Sequence, residues 1–331
     1  MRKSGSLLQV ADQALRADRE AALGAEKRTP RDYMYLTFLA AMVPLAISVM
    51  RGREKQAVAL LAEGSYYHWL LGLGSAVLYL AMIVALFPRG GTKLKQLLGV
   101  GAFTATGGIL LLVLVQLLAE ATRGWVVVGG LLTLPFWVLK LIAGSYDAAF
   151  DPNASYIVSS VGFTISVGFL EEVVKALPLL WHFKRRATLG WRGACIWGLA
   201  SGAAFGVVEG IMYAGFYYNG RAGAGVYAVR FVSCVALHAV LTGSVGIFIY
   251  QQRKMIERIA SLWGHFNAAL GVTALAILLH GQYDTLVKKG YLGIALGVAL
   301  LAVGVLAAQI EFMRKQESGA RGARRMATLN V

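Results

Sequence analysis

Charge is scarce in this sequence. Asp, Glu, Lys and Arg make up 15% of the 331 residues, where a soluble domain carries about a quarter. Acids are the scarcer sign, 17 against 32 Lys and Arg. Cysteine occurs twice, at Cys195 and Cys234. Neither has CxxC spacing, so the pair says little about redox compartment. There is no HExxH, which excludes an ordinary zincin site. No strand pattern runs anywhere. The first residues are polar and hold no short apolar stretch with a small-residue cleavage site, so a removable signal peptide is not expected.

Apolar residues are abundant: 57% of the chain, with a mean hydropathy of +0.62. They gather in runs of about 18 residues or more, the length a helix needs to cross the hydrocarbon core. Lipid permits only helices or closed barrels to cross it. The expected fold is therefore all-α, a polytopic transmembrane bundle of about 8–9 spans. Candidate spans are 33–50, 66–87, 97–118, 125–145, 156–183, 193–217, 226–250, 268–286 and 291–312. The net charge of +15 does not point to nucleic acid. Basic residues between apolar runs hold topology from the cytosolic side, and the partner they imply is the lipid bilayer.

The loops orient the bundle. KRRATLGWR (184–192), QQRKMIER (251–258) and the tail from Arg314 are basic, whereas DAAFDPNAS (147–155) has no Lys or Arg. The basic segments, and the C-terminus with them, are expected in the cytosol. The tail, rich in Gly, Ser and Arg, is expected to be without structure. Nine spans ending in the cytosol would start outside, yet residues 1–32 hold seven Lys and Arg. Either one N-terminal segment does not cross or the arm defies the charge rule. The chain divides into a polar arm (1–32), helices without a recognised motif (33–150), a core (151–290), and a last helix with its basic tail (291–331).

A few polar residues lie deep within the last five spans. Glu171, Glu172 and Lys175 fall in 156–183, Glu209 in 193–217, His238 in 226–250, and His280 with Asp284 in 268–286. At about 1.5 Å per residue from the cytosolic ends, Glu172 is roughly 16 Å deep, His238 and His280 roughly 18 Å, and Glu209 roughly 24 Å. That is one layer near mid-membrane. A charge at a helix centre costs roughly 2.5–3.5 kcal/mol on insertion scales and faces an interior cavity. Lys175 is i+4 from Glu171 and i+3 from Glu172, so it can neutralise one carboxylate. Adjacent glutamates sit about 100° apart on a helix, so one is expected to face the cavity and the other the scaffold. Asp284, i+4 from His280, can accept from one ring nitrogen. Phe205 is one turn before Glu209, and Pro178 removes a backbone donor beside the glutamates.

Taken singly, each residue has a plainer account. EExxK is a common solvent-facing helix pattern, an intramembrane His is often a packing residue, and Glu209 can pair with Arg230. Lys140 is expected to snorkel to an interface. Gly202, Gly206 and Gly210 have the small-xxx-small spacing of closely packed helices. Cys195 and Cys234, at different depths, are expected to be unpaired. It is the set, in one layer, that points to a site. A transporter coupled to protons or ions would also place Glu, His and Lys at mid-membrane, but no internal repeat of the transporter kind is visible. A non-catalytic membrane binder is the third reading.

Glu171-Glu172-x-x-Lys175, Phe205-x-x-x-Glu209, His238 with Gly246 eight positions on, and His280-x-x-x-Asp284 follow in order on four consecutive spans. Together they resemble the PrsW family of intramembrane proteases, related to the group that includes CAAX-prenyl endopeptidases and bacteriocin-processing membrane enzymes. The resemblance covers about 156–290. It implies hydrolysis of a peptide bond in or near a bacterial plasma membrane, with membrane-anchored proteins such as anti-sigma factors as substrates. Relatives often carry Asn where Asp284 stands. Amide hydrolysis needs an activated water, an oxyanion stabiliser and a proton for the leaving amine. Glu171 or Glu172 is the expected base, with Lys175 balancing charge. Either Glu209, His238 and His280 bind zinc, or there is no metal and the two histidines donate to the oxyanion. Oligomeric state is not legible.

Overall fold

The computed structural model describes residues 66–87, 90–126, 129–130, 133–185, 189–217 and 224–329, all within the unit Ala46–Val331. Expectations for the 1–32 arm and the 33–50 span lie outside the described residues. Every element among them is helical: α1 (Tyr66–Leu86), α2 (Leu94–Ala121), α3 (Thr133–Phe150), α4 (Tyr156–Lys184), α5 (Trp191–Tyr217), a short helix Ala224–Ala228 that runs into α6 (Val229–Gln251), α7 (Arg253–Arg258), α8 (Leu262–Lys288) and α9 (Leu292–Leu329). Among the described residues, seven helices, all but α3 and the short α7, are long and apolar enough to cross a membrane. Buried residues fill 72% of the apolar window in α5 and in α6 but 22% in α1 and 17% in α9. The core therefore forms around α5 and α6. The rim exposes Leu70, Leu73, Ile157 and Leu300, as lipid contact allows.

Small residues set how closely the central pair packs. A methyl group on Gly198 or Gly202 would fall on the backbone of Thr242 or His238, and one on Gly206 would sit 2.8 Å from the His238 ring. This stripe, continued by Gly210 against Phe231, lets α5 lie backbone to backbone on α6, the small-xxx-small use of glycine. Gly168 on α4 approaches the Ile277 carbonyl of α8 in the same way. Wide π-helical turns interrupt α2 at Thr104–Gly108 and α4 at Thr164–Gly168, and open α6 at Val229–Cys234. The last two lie within about a turn of Glu171 and His238, and π-turns recur at functional sites.

The helix expected over 125–145 instead runs from Thr133 to Phe150, eighteen residues including Lys140 and Asp147. Arg123, just past α2, pairs with Asp147 near the end of α3 at 2.6 Å. Lys288, at the end of α8, donates to the carbonyls of Ala149 and Asp151 and reaches Ser159 in α4. The ends of α2, α3 and α8 and the start of α4 thus share one end of the bundle, and the chain returns through α3 to the side it left. Lys140 donates to the Trp125 carbonyl at 2.9 Å and lies 5.6 Å from the centre of the Trp137 ring. The tail also departs from expectation: α9 continues as helix to Leu329. Glu317 pairs with Arg192 of α5 at 2.6 Å, and long-chain residues in this stretch favour helix. Gly290, at φ +79°, ends α8 and lets α9 start two residues later.

Candidate active site

The seven residues singled out from the sequence sit on α4, α5, α6 and α8 and form one connected cluster. Lys175, with no exposed side-chain surface, is its hub. Its ammonium donates to Glu172 Oε1 at 2.7 Å and to His238 Nδ1 at 2.6 Å. It lies 3.8 Å from Glu171 Oε2 and 4.7 Å from the centre of the Phe205 ring. Because an ammonium only donates, His238 Nδ1 accepts and its proton is on Nε2. That N–H donates to Glu209 Oε2 at 2.6 Å, and Arg230 stands 3.9 Å from the other Glu209 oxygen.

His280 is arranged alike. Its Nδ1–H donates to Glu172 Oε1 at 2.9 Å. Its Nε2 faces Glu171 Oε2 at 3.7 Å and Asp284 Oδ2 at 3.3 Å. The two imidazoles meet edge to face, ring centres 4.9 Å apart. Each histidine thus gives one N–H to a carboxylate; the other nitrogen of His280 faces Glu171, and that of His238 accepts from the Lys175 ammonium. Such outer hydrogen bonds fix the tautomer of metal-binding histidines. The expected division between Glu171 and Glu172 does not hold: both are buried and both reach His280. Long side chains, with the imidazole between them, overcome the 100° step along the helix.

Glu171, His238 and His280 offer ligand atoms that all lie within 4.8 Å of one another. Glu209 is outside this group, on the other nitrogen of His238. Oε2 of Glu171 and Oε2 of Glu172 are buried without a hydrogen-bond partner among the described residues. Four carboxylates, Glu171, Glu172, Glu209 and Asp284, face the cations Lys175 and Arg230. With neutral imidazoles this leaves two formal negative charges in an apolar interior. The oxygens without hydrogen bonds, the three clustered ligand atoms and that imbalance fit a divalent cation.

Two residues with no signal in the motif spacing complete the scaffold. Ser201 of α5 donates to the Lys175 carbonyl at 2.8 Å and pairs with Thr104 Oγ1, in the α2 π-turn, at 2.8 Å. Both are fully buried. Small hydroxyl residues in apolar runs were the available clue. The two cysteines are free, as expected.

A profile of the PrsW family, described as intramembrane metalloproteases, matches residues 96–309, more than half of the chain. The chain belongs to the PrsW family. Comparison with curated proteins returns no match, and comparison with solved structures returns none. The PrsW match starts in α2 and ends in α9, wider at both ends than the 156–290 stretch that carries the motifs, and so takes in Thr104 and α3. This PrsW protein is an integral membrane hydrolase, and its substrate is a membrane protein. The transporter reading is set aside.

Proposed function

We propose that this chain cuts single-span, membrane-anchored proteins, with Glu171, His238 and His280 as the groups that would hold a zinc ion and Glu172 as the base. The convergence of the three ligand atoms beside two buried carboxylate oxygens without hydrogen bonds carries the reading. Glu171 replaces Glu209 in the set expected from the sequence, because Glu209 is engaged by His238 Nε2–H and orients that ring. A bound zinc ion would polarise the scissile carbonyl and acidify a water. Glu172 is held through Oε1 by Lys175 and His280, which leaves Oε2 to take the water's proton. The water oxygen bonds to the carbonyl carbon. As the C–N bond breaks, the proton held at Glu172 passes to the leaving nitrogen, giving a carboxylic acid and an amine. His280, oriented by Glu172, and His238, oriented by Glu209, keep the layer assembled.

Access follows from exposure. The side chains of Asp284 and Glu209 are 24% and 14% exposed, against 6% for Glu171 and 0% for Glu172 and Lys175. Asp284 lies one helical turn from Lys288, at the end of the bundle away from the basic loops. With those loops and the C-terminus in the cytosol of a bacterium, the site opens outward and takes the extracytoplasmic flank of the substrate. Anti-sigma-factor-like proteins are of this form.

The test is cleavage of single-span peptides by the detergent-purified protein, with metal content measured on the same samples. Wild type is expected to carry about one zinc per chain. Glu171→Gln is expected to lose both metal and cleavage, whereas Glu172→Gln keeps metal and loses cleavage. Cutting by Glu172→Gln near the wild-type rate would remove Glu172 as base. Full cleavage that resists chelators, without bound metal, would remove the ion.

A further inference from the structure

We propose that the ammonium of Lys175 occupies the seat a divalent cation needs, so that metal loading requires Lys175 to withdraw from His238. This rests on the ligand set proposed above. Each ring nitrogen of His238 is already engaged: Nε2–H by Glu209 and the Nδ1 lone pair by Lys175 at 2.6 Å. Of the two, Nδ1 is the nitrogen beside the glutamate pair, since the ammonium that touches it also lies 2.7 Å from Glu172 Oε1 and 3.8 Å from Glu171 Oε2. Zinc binds imidazole nitrogen at about 2.0–2.1 Å through that same lone pair. One lone pair does not serve two cations, and an ammonium 2.6 Å away would stand against the ion with like charge in a site of low dielectric.

The pocket suits an ammonium well. Glu172 Oε1 and His238 Nδ1 accept its protons, and the negative face of the buried Phe205 ring lies 4.7 Å away. Such a face attracts a desolvated cation. Lys175 thus balances part of the buried negative charge whenever the ion is not bound and ties α4 to α5 and α6. The same contacts lower the affinity for metal, because only the fraction of molecules with the lysine withdrawn is competent to bind. Lys175 acts here as a positioning residue: it tunes occupancy of the site through His238 and Glu172.

The experiment is Co²⁺ titration of the full chain in detergent, followed by visible absorption, with Zn²⁺ calorimetry in parallel. Lys175→Met keeps the length and apolar stem and removes the charge. It is expected to bind Co²⁺ at least about tenfold more tightly than wild type, while Lys175→Arg shows no gain. Phe205→Leu removes the ring face while replacing no proposed ligand, though that ring also packs on His238, ring centres 5.5 Å apart; it is expected to gain about threefold and serves as the test if Lys175→Met does not fold. Metal binding by wild type that Lys175→Met and Phe205→Leu leave unchanged or weaken would overturn the competition and keep the ligand set. Absence of binding in wild type and every variant would overturn both.

Discussion

Gly202→Ala adds one methyl group at the point where α5 touches the backbone of His238. The new carbon would stand 2.5 Å from the His238 carbonyl carbon and 2.8 Å from Thr242 Oγ1, and closer still to the His238 carbonyl oxygen. Ordinary contacts lie at about 3.5–4.0 Å, so the helices must part by roughly 1 Å or more. Overpacking of this size costs about 1–3 kcal/mol of stability. The larger effect is chemical. His238 is the residue pushed, and its bonds to Lys175 and Glu209 are both 2.6 Å long; a shift of about 1 Å takes them out of hydrogen-bonding range. Misplacement on that scale lowers turnover about 100-fold. The assay is cleavage of a single-span peptide in detergent, with thermal unfolding on the same preparation. Gly271→Ala is the control, since nothing lies within 4 Å of the added carbon there, and it is expected to stay within about twofold of wild type. A Gly202→Ala enzyme that cut within threefold of wild type would show that the close approach of α5 does not hold the site together.

Ser201→Ala removes the donor to the Lys175 carbonyl and the partner of Thr104. Intramembrane hydrogen bonds are worth about 0.6 kcal/mol on average and up to about 1.7 kcal/mol, so cleavage is expected to fall roughly 3- to 20-fold with metal content unchanged; an unaltered kcat/KM would sink this role. The seven spans found among the described residues, with one crossing at 33–50, would place both basic ends of the chain on the same side. Protease protection of epitope tags at the two termini is expected to shield or expose them together, and opposite behaviour would refute the count.

Much of the fold was legible because lipid leaves the chain few choices: length and hydropathy located every described span. What hydropathy does not reveal is whether a helix crosses. The 125–145 run looked like a span, and counting it produced the conflict with the seven basic residues of the N-terminal arm. The pairing of Arg123 with Asp147, at 2.6 Å, is a tertiary fact that joins the ends of α2 and α3 and takes this run out of the count of crossings. The polar layer was legible for a related reason. A glutamate or histidine in the middle of an apolar run stands out, and helical rise converts its position into depth. Partners were harder to read. Depth grouped Glu209 with the histidines, but it could not show which ring nitrogen Glu209 would take. Ser201 and Thr104 stayed hidden because a hydroxyl in a membrane span usually bonds its own helix carbonyl, as Thr104 also does to Val100.

The buried cluster is hard to explain by stability alone. Replacing a buried ion pair with apolar residues of similar volume is often neutral or stabilising, and in lipid the insertion cost of each charged residue, about 2.5–3.5 kcal/mol at a helix centre, argues the same way. A bundle needing only tight packing already has it in the glycine stripe of α5. Yet Glu171, Glu172, Lys175, His238 and His280 are all nearly or fully inaccessible, and two of their carboxylate oxygens lack a hydrogen-bond partner among the described residues. A structural network would use those oxygens. Their lack of hydrogen bonds, beside ligand atoms that lie within 4.8 Å of one another and with negative charge in excess, fits a site for a cation. The geometry is therefore consistent with the metalloprotease family match.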